Sequence, residues 1–161
     1  MRDLSNMNIL VVENNTHMRK VLVSLLGAFE VGQVMEADGS FGGFSLIATE
    51  EIDLVLLDFF LGDHDGLDIV ELLRTEKPCP NYNVPIIIVT AAPLHPRVQA
   101  AKDLGADAIL GKPLFPVELY EAITGVLETR KANPSPKDED NGEDDAEGET
   151  PEAAAPNAAT A

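Results

Sequence analysis

Tryptophan is absent from the 161 residues, cysteine occurs once, and 11 basic side chains face 28 acidic ones, for a formal charge of -17. The lone Cys79 excludes an internal disulfide framework and a thiolate zinc cage, and it fits a reducing compartment. The shortage of Lys and Arg argues against direct nucleic-acid binding and polybasic membrane contact, because so negative a surface repels phosphate. Also missing is any run of the roughly 18 to 20 apolar residues that cross a bilayer. The apolar stretch Ile9 to Val12 is short and lies between Asp3 and Glu13, which suits neither a signal peptide nor a lipid anchor. These absences lead us to expect a soluble cytoplasmic protein whose partners are proteins or cations.

The acidity is unevenly spread. Residues 132 to 161 hold nine acids and one lysine, and beyond Arg130 the chain has no aromatic and no β-branched aliphatic residue. Such a segment cannot bury enough apolar surface to offset its ordering entropy, so we expect a domain over residues 1–131 and a disordered acidic tail over 132–161.

Within the first 131 residues two signals alternate. Short apolar runs at Asn8 to Val12, Gln33 to Glu36, Leu54 to Leu57, Pro85 to Val89 and Ala108 to Leu110 have the length of buried strands. Between them, Met18, Val21, Leu22, Leu25, Leu26 and Phe29 recur with helical period behind Asn15 or Thr16 as N-cap. Leu67, Val70 and Leu73 predict a helix capped by Asp65. Val98, Ala101 and Leu104 predict one from Pro96 to Gly105, and Leu119, Ile123, Val126 and Leu127 one from near Pro116. A weaker helix is expected between Ser40 and Thr49, where Gly42 and Gly43 each cost roughly 1 kcal/mol against alanine.

Five strands alternating with five helices imply a parallel α/β sheet with right-handed crossovers and helices on both faces. Sheets of this kind bind ligands at the carboxyl ends of their strands. Those ends carry Glu13-Asn14, Asp58, Thr90 and, past Gly111, Lys112-Pro113. If the first, third, fourth and fifth strands are neighbours, one shallow site collects two carboxylates, a carboxamide, a hydroxyl and an ammonium.

The segments ILVVEN, DLVLLDFFLGDHDG, IIIVTAAP and GADAILGKPL occur in that order, and with them residues 7 to 130 resemble the receiver domain of two-component response regulators. The resemblance implies a flavodoxin-like three-layer α/β/α sandwich, its five-stranded sheet in the order 2-1-3-4-5. It also implies that Asp58 is the phosphoacceptor, fed by a histidine kinase or a histidine phosphotransfer protein. Nucleophile and phosphoryl group are both anionic, so a cation must screen them. The family pattern assigns Mg2+ to Glu13, Asn14, Asp58 and the backbone carbonyl of Phe60, an all-oxygen set of the kind that ion prefers. Lys112 and Thr90 would each contact a phosphoryl oxygen. The implied signalling face comprises the fourth helix, fifth strand and fifth helix, with Arg97, Val98, Ala101 and Glu118 as candidate contacts.

Three positions depart from the family pattern. Asn14 stands where an acid is usual, so magnesium affinity should fall. Ile109 stands where tyrosine or phenylalanine acts with the Thr90-type hydroxyl as a switch, and a stiff β-branched side chain cannot reproduce that ring movement. Gly62 stands where proline is common, which should loosen the loop after Asp58. The loop histidines His64 and His95 are expected to be surface residues, His17 to lie on the first helix, and Phe59 and Phe60 to be buried and exposed in turn.

The leading expectation is a single-domain regulator that accepts a phosphoryl group on Asp58 and signals by protein contact, rather than an enzyme. The alternative is a receiver-like interaction module independent of phosphorylation, motivated by Asn14 and Ile109. An aspartate-nucleophile phosphohydrolase would want a second aspartate where Phe60 stands. A flavin site would want a hydroxyl-rich loop where Glu13-Asn14-Asn15 stands.

Overall fold

A computed structural model of the chain describes residues 2–62 and 64–133. Strands and helices alternate as β1 (Asn8–Val12), α1 (Thr16–Ala28), β2 (Gln33–Ala37), α2 (Ser40–Thr49), β3 (Leu54–Asp58), α3 (Gly66–Thr75), β4 (Ile86–Thr90), α4 (Pro96–Leu104), β5 (Ala108–Gly111) and α5 (Pro116–Ala132). The strands form one parallel sheet in the order β2-β1-β3-β4-β5, the order the resemblance implied. Helix α5 extends one residue past the expected domain boundary, and the expected acidic tail otherwise lies outside the described residues.

Local chemistry starts each helix where the sequence suggested. The Asn15 side chain accepts from the Met18 N–H at 2.9 Å, and Asp65 accepts from the Leu67 N–H at 3.1 Å. Pro96 and Pro116 open α4 and α5, where a missing N–H costs nothing. Strand β4 begins one residue later than expected because Pro85 has no N–H to give. Its carbonyl instead accepts from the Val55 N–H at 2.9 Å. Helix α2 tolerates its glycines because one is needed. A Cβ on Gly43 would meet both Val12 methyls at 3.3 Å, so the missing side chain lets α2 sit close to β1.

Alternation along the strands separates two cores. Leu10, Val12, Val55, Leu57, Ile86 and Ile88 pack with Ile47 of α2, Ile69, Val70 and Leu73 of α3, and Val98 and Ala101 of α4. Ile9, Val11, Leu54, Leu56, Ile87 and Val89 pack on the opposite face with Leu22 and Leu26 of α1 and Leu119 and Ile123 of α5. Each fully buried aliphatic side chain contributes roughly 1.5 to 3 kcal/mol. Val98 and Ala101 are therefore core residues, and their expected place among the partner contacts is corrected. An apolar pair three residues apart on a helix turns to the sheet, leaving Arg97 and Glu118 of the four candidates exposed.

Two polar clusters brace the end of the sheet away from the strand termini. Asp107 accepts from Arg130 Nε at 2.7 Å, Arg74 Nη2 at 3.1 Å and the Ile86 N–H at 2.8 Å, tying α3, α5 and β4 together. Buried Asn81 donates to the carbonyls of Ile47 and Glu50, both at 2.7 Å, and accepts from the Ile52 N–H at 3.0 Å. That carboxamide replaces the ladder the connection after α2 lacks.

Candidate phosphoacceptor site

Because β1, β3, β4 and β5 are consecutive across the sheet, their carboxyl ends bring Glu13, Asp58, Thr90 and Lys112 together. Asp58 closes β3 opposite Val89, and Thr90 closes β4 opposite Gly111, which sets Lys112 beside both. The peptide between Lys112 and Pro113 is cis. The Lys112 ammonium lies 2.8 Å from Glu13 Oε2 and 3.4 Å from Asp58 Oδ2. It thus serves two carboxylates at once.

Glu13 is fully buried, and both its oxygens are engaged. Oε1 accepts from the Asn15 N–H at 2.9 Å while Oε2 takes the lysine. The Glu13 side chain thus turns inward, onto Lys112. Its backbone is held as well: its carbonyl accepts from Arg19 Nη1 at 2.8 Å, and Arg19 Nε pairs with Glu36 at 3.2 Å. Sequence reading missed Arg19, which lies on α1 among residues picked out only for their apolar period.

Burial pushes the Asp58 carboxyl up to about 6; Lys112 opposes that rise, and the negative charge of Glu13 adds to it. The Phe60 N–H hydrogen-bonds the same carboxylate and favours its charged form. Thr90 is fully buried, and its hydroxyl oxygen accepts from the Ala92 N–H at 3.2 Å. Ile109 pairs with Ile88 and packs, partly buried, on the core face that carries α4.

The loop after Asp58 is a tight return. Phe60 and Asp65 form an isolated antiparallel bridge, closed by the Leu61 N–H on the His64 carbonyl at 3.2 Å and the Gly66 N–H on the Phe59 carbonyl at 2.6 Å. Neither bond uses the Phe60 carbonyl. Gly62 in this loop has φ +89°, a conformation proline cannot adopt, so glycine here answers a geometric demand rather than only loosening the chain. Phe59 is buried and Phe60 half exposed, as the alternation predicted.

The groups that the resemblance assigns to a metal are all oxygens: the Asp58 carboxylate, the Asn14 amide, the Phe60 carbonyl and Glu13. Hard oxygen ligands of this kind fit Mg2+. Lys112 holds Glu13 more closely than Asp58, and Asn14 is neutral and exposed, so Asp58 is the carboxylate less engaged by the lysine. Among the described residues no cluster of three or more His, Cys, Asp or Glu side chains is placed to hold a metal. Nor, among them, is any helix long and apolar enough to cross a membrane. His17 lies on α1 and His64 in the loop before α3, both exposed, whereas His95 turns out to cap α4.

Comparison with known proteins agrees with this arrangement. The family described as response regulator receiver domain matches residues 9–124. Protein RcaC of Microchaete diplosiphon is 34% identical over 131 residues, which are 81% of this chain and 19% of that protein. The transcriptional regulatory protein CusR of Escherichia coli K12 is 35% identical over 123 residues, 75% of this chain and 51% of that one. The chain thus spans about a fifth of the first of these relatives and about half of the second. The chemotaxis protein CheY homolog of Campylobacter jejuni is 28% identical over 76% of this chain and 94% of its own length. Among solved structures, a CheY-like response regulator receiver domain protein from Methanospirillum hungatei JF-1 superposes with a TM-score of 0.69 at 25% identity. The match covers 78% of this chain and 97% of that one.

Proposed function

The chain belongs to the response regulator receiver domain family, and on that premise we propose that it accepts a phosphoryl group on Asp58 and passes the resulting state to a protein partner. Receiver domains are regulators rather than typical enzymes, they bind Mg2+ at their phosphorylation site, and they interact with histidine kinases and downstream targets.

The observation that carries the reading is the meeting of Asp58 and Lys112 at 3.4 Å on a strand edge that also bears Thr90 and Glu13. In the proposed step an Asp58 carboxylate oxygen attacks the phosphorus of a phosphohistidine. The P–O bond forms as the P–N bond breaks, and the departing imidazole takes up a proton. The ammonium of Lys112 stabilises the charge on the transferring group, and the Thr90 O–H, not used in the bond its oxygen accepts from Ala92, donates to a second phosphoryl oxygen. Magnesium, when bound by Asp58, Asn14 and the Phe60 carbonyl, screens donor from acceptor. The effect is delivered through α4, β5 and α5, where Arg97, Leu104, Val117 and Glu118 are exposed.

Incubation with Mg2+ and a small phosphodonor or cognate kinase tests this. An acid-stable, base-labile adduct should form, and it should be absent in Asp58→Asn. A wild-type chain that stays unmodified at saturating magnesium overturns the reading.

One observation favours the second reading, an interaction module independent of phosphorylation: Glu13 holds Lys112 more closely than Asp58 does. On that reading the ammonium is a structural tie, and partner binding is unchanged in Asp58→Asn.

A further inference from the structure

Helices α3 and α4 begin side by side, and four side chains there form a closed frame. Phe60 and Asp65 face each other across the bridge that closes the loop after β3. Each reaches one residue at the start of α4. The Phe60 ring meets the His95 ring edge to face, with centroids 5.4 Å apart and planes at 89°, and the Asp65 carboxylate pairs with the Arg97 guanidinium. His95 and Arg97 are themselves joined, since His95 Nδ1 accepts from the Arg97 N–H at 3.2 Å as the N-cap of α4. Asp65 likewise caps α3 through the Leu67 N–H. The two capping residues are therefore linked, Asp65 through its ion pair with Arg97 and His95 through the Arg97 N–H.

One corner of this frame follows directly on Asp58, which ends β3 and is joined to Phe60 through the buried Phe59. The Phe60 ring is braced from behind by Phe59, with centroids 5.2 Å apart, and the Phe60 N–H favours the charged form of the Asp58 carboxylate. Converting that carboxylate to an acyl phosphate changes the charge and position of the acceptor the Phe60 amide faces. Phe59 is fully buried and cannot yield, so the displacement falls on Phe60 and the rings beyond it. The route through residue 109 lacks comparable means. Ile109 has no polar atom and no ring with which to follow a movement of Thr90.

We propose that α4 reads the state of Asp58 through the Phe60–His95 ring contact and the Asp65–Arg97 ion pair, in place of an aromatic switch at position 109. The proposal rests on the phosphoacceptor reading and names how that site is coupled to the signalling face. His95 is a positioning residue on this account: it transmits the movement of the loop after Asp58 to the first turn of α4.

The test is a titration of the isotope-labelled full chain with Mg2+ and beryllofluoride, followed by amide NMR. It is run on wild type, His95→Ser, Phe60→Leu and Ile109→Val. Serine keeps a capping oxygen and leucine keeps apolar bulk, so both remove the ring contact while preserving the helix start and the packing. In wild type, amides around Asp58 and in the first turn of α4 should both shift. His95→Ser and Phe60→Leu should retain the shifts around Asp58 and lose those in α4, and Ile109→Val should retain both sets. An α4 response that survives both ring deletions, or that is missing in wild type while the Asp58 edge responds, overturns this proposal alone. The absence of any shift around Asp58 in wild type overturns the phosphoacceptor reading and this coupling with it.

Discussion

Lys112 Nζ stands 2.8 Å from Glu13 Oε2 and 3.4 Å from Asp58 Oδ2, so a buried glutamate competes with Asp58 for its ammonium. Replacing Lys112 by methionine leaves the fully buried Glu13 carboxylate uncompensated beside a second acid. The expected loss of folding free energy is roughly 3 kcal/mol, measured by urea denaturation at neutral pH. In the Glu13→Gln background the same replacement should cost markedly less, because the amide brings no charge. Equal costs in both backgrounds would show that the pair is not coupled.

The buried Asp58 carboxyl titrates near pH 6 against about 4 in the unfolded chain, which fixes a sign for stability. Between those values the folded state holds a proton that the unfolded state has released, so stability contributed by Asp58 falls as pH rises through that window. Asp58→Asn should then be more stable than wild type above pH 6, by an amount on the order of 3 kcal/mol, and equal to it below pH 4. Thermal melts in magnesium-free buffer across pH 4 to 7 check this. A difference that does not vary with pH would refute it.

The same titration governs reactivity. Only the carboxylate form attacks phosphorus, so the rate of phosphorylation by a small donor should fall about tenfold per unit below pH 6. Added Mg2+ should move that fall to lower pH, since a bound cation favours the charged form. Rate profiles at low and saturating magnesium measure both effects.

Asn14 offers the metal a neutral oxygen from an exposed position at the end of β1. Asn14→Asp should tighten magnesium binding on the order of tenfold or more, because it adds a second carboxylate that Lys112 does not hold. Calorimetric titration reads the change directly. Unaltered affinity would mean that residue 14 does not face the ion.

At the far end of the sheet, Asp107→Ala should cost about 3 to 5 kcal/mol while sparing phosphorylation. It strands the Arg74 and Arg130 guanidinium groups and the Ile86 N–H. Burial already lowers Arg74 to about 10, with Asp107 opposing that shift. Denaturation midpoints and phosphorylation rates in the same variant separate the two effects.

What the sequence made legible follows from the range of the interactions concerned. The apolar spacing of Met18 to Phe29 and the caps Asn15 and Asp65 are local signals, and the elements they predicted are present. Glu13, Asp58, Thr90 and Lys112 are far apart in the chain, yet topology alone gathers them, since parallel strands end on one edge. Val98 and Ala101 were misplaced because a short apolar pair does not say which side of a helix is covered. Asn81, Asp107 and Arg19 escaped notice for another reason. Asn81 reaches Ile47, Asp107 reaches Arg130 and Arg19 reaches Glu36, pairs that leave no periodic trace and that only the folded backbone brings together.

Asp58 terminates β3, the central strand, every residue of which is buried between two helical layers. Amide hydrogens along Leu54–Asp58 should therefore exchange with solvent only when the whole molecule opens, whereas those of Phe60, Leu61 and Gly62 should exchange by local fluctuation. Asp58 is thus anchored to the least yielding part of the architecture, and the segment beyond Phe59 is soft enough to respond.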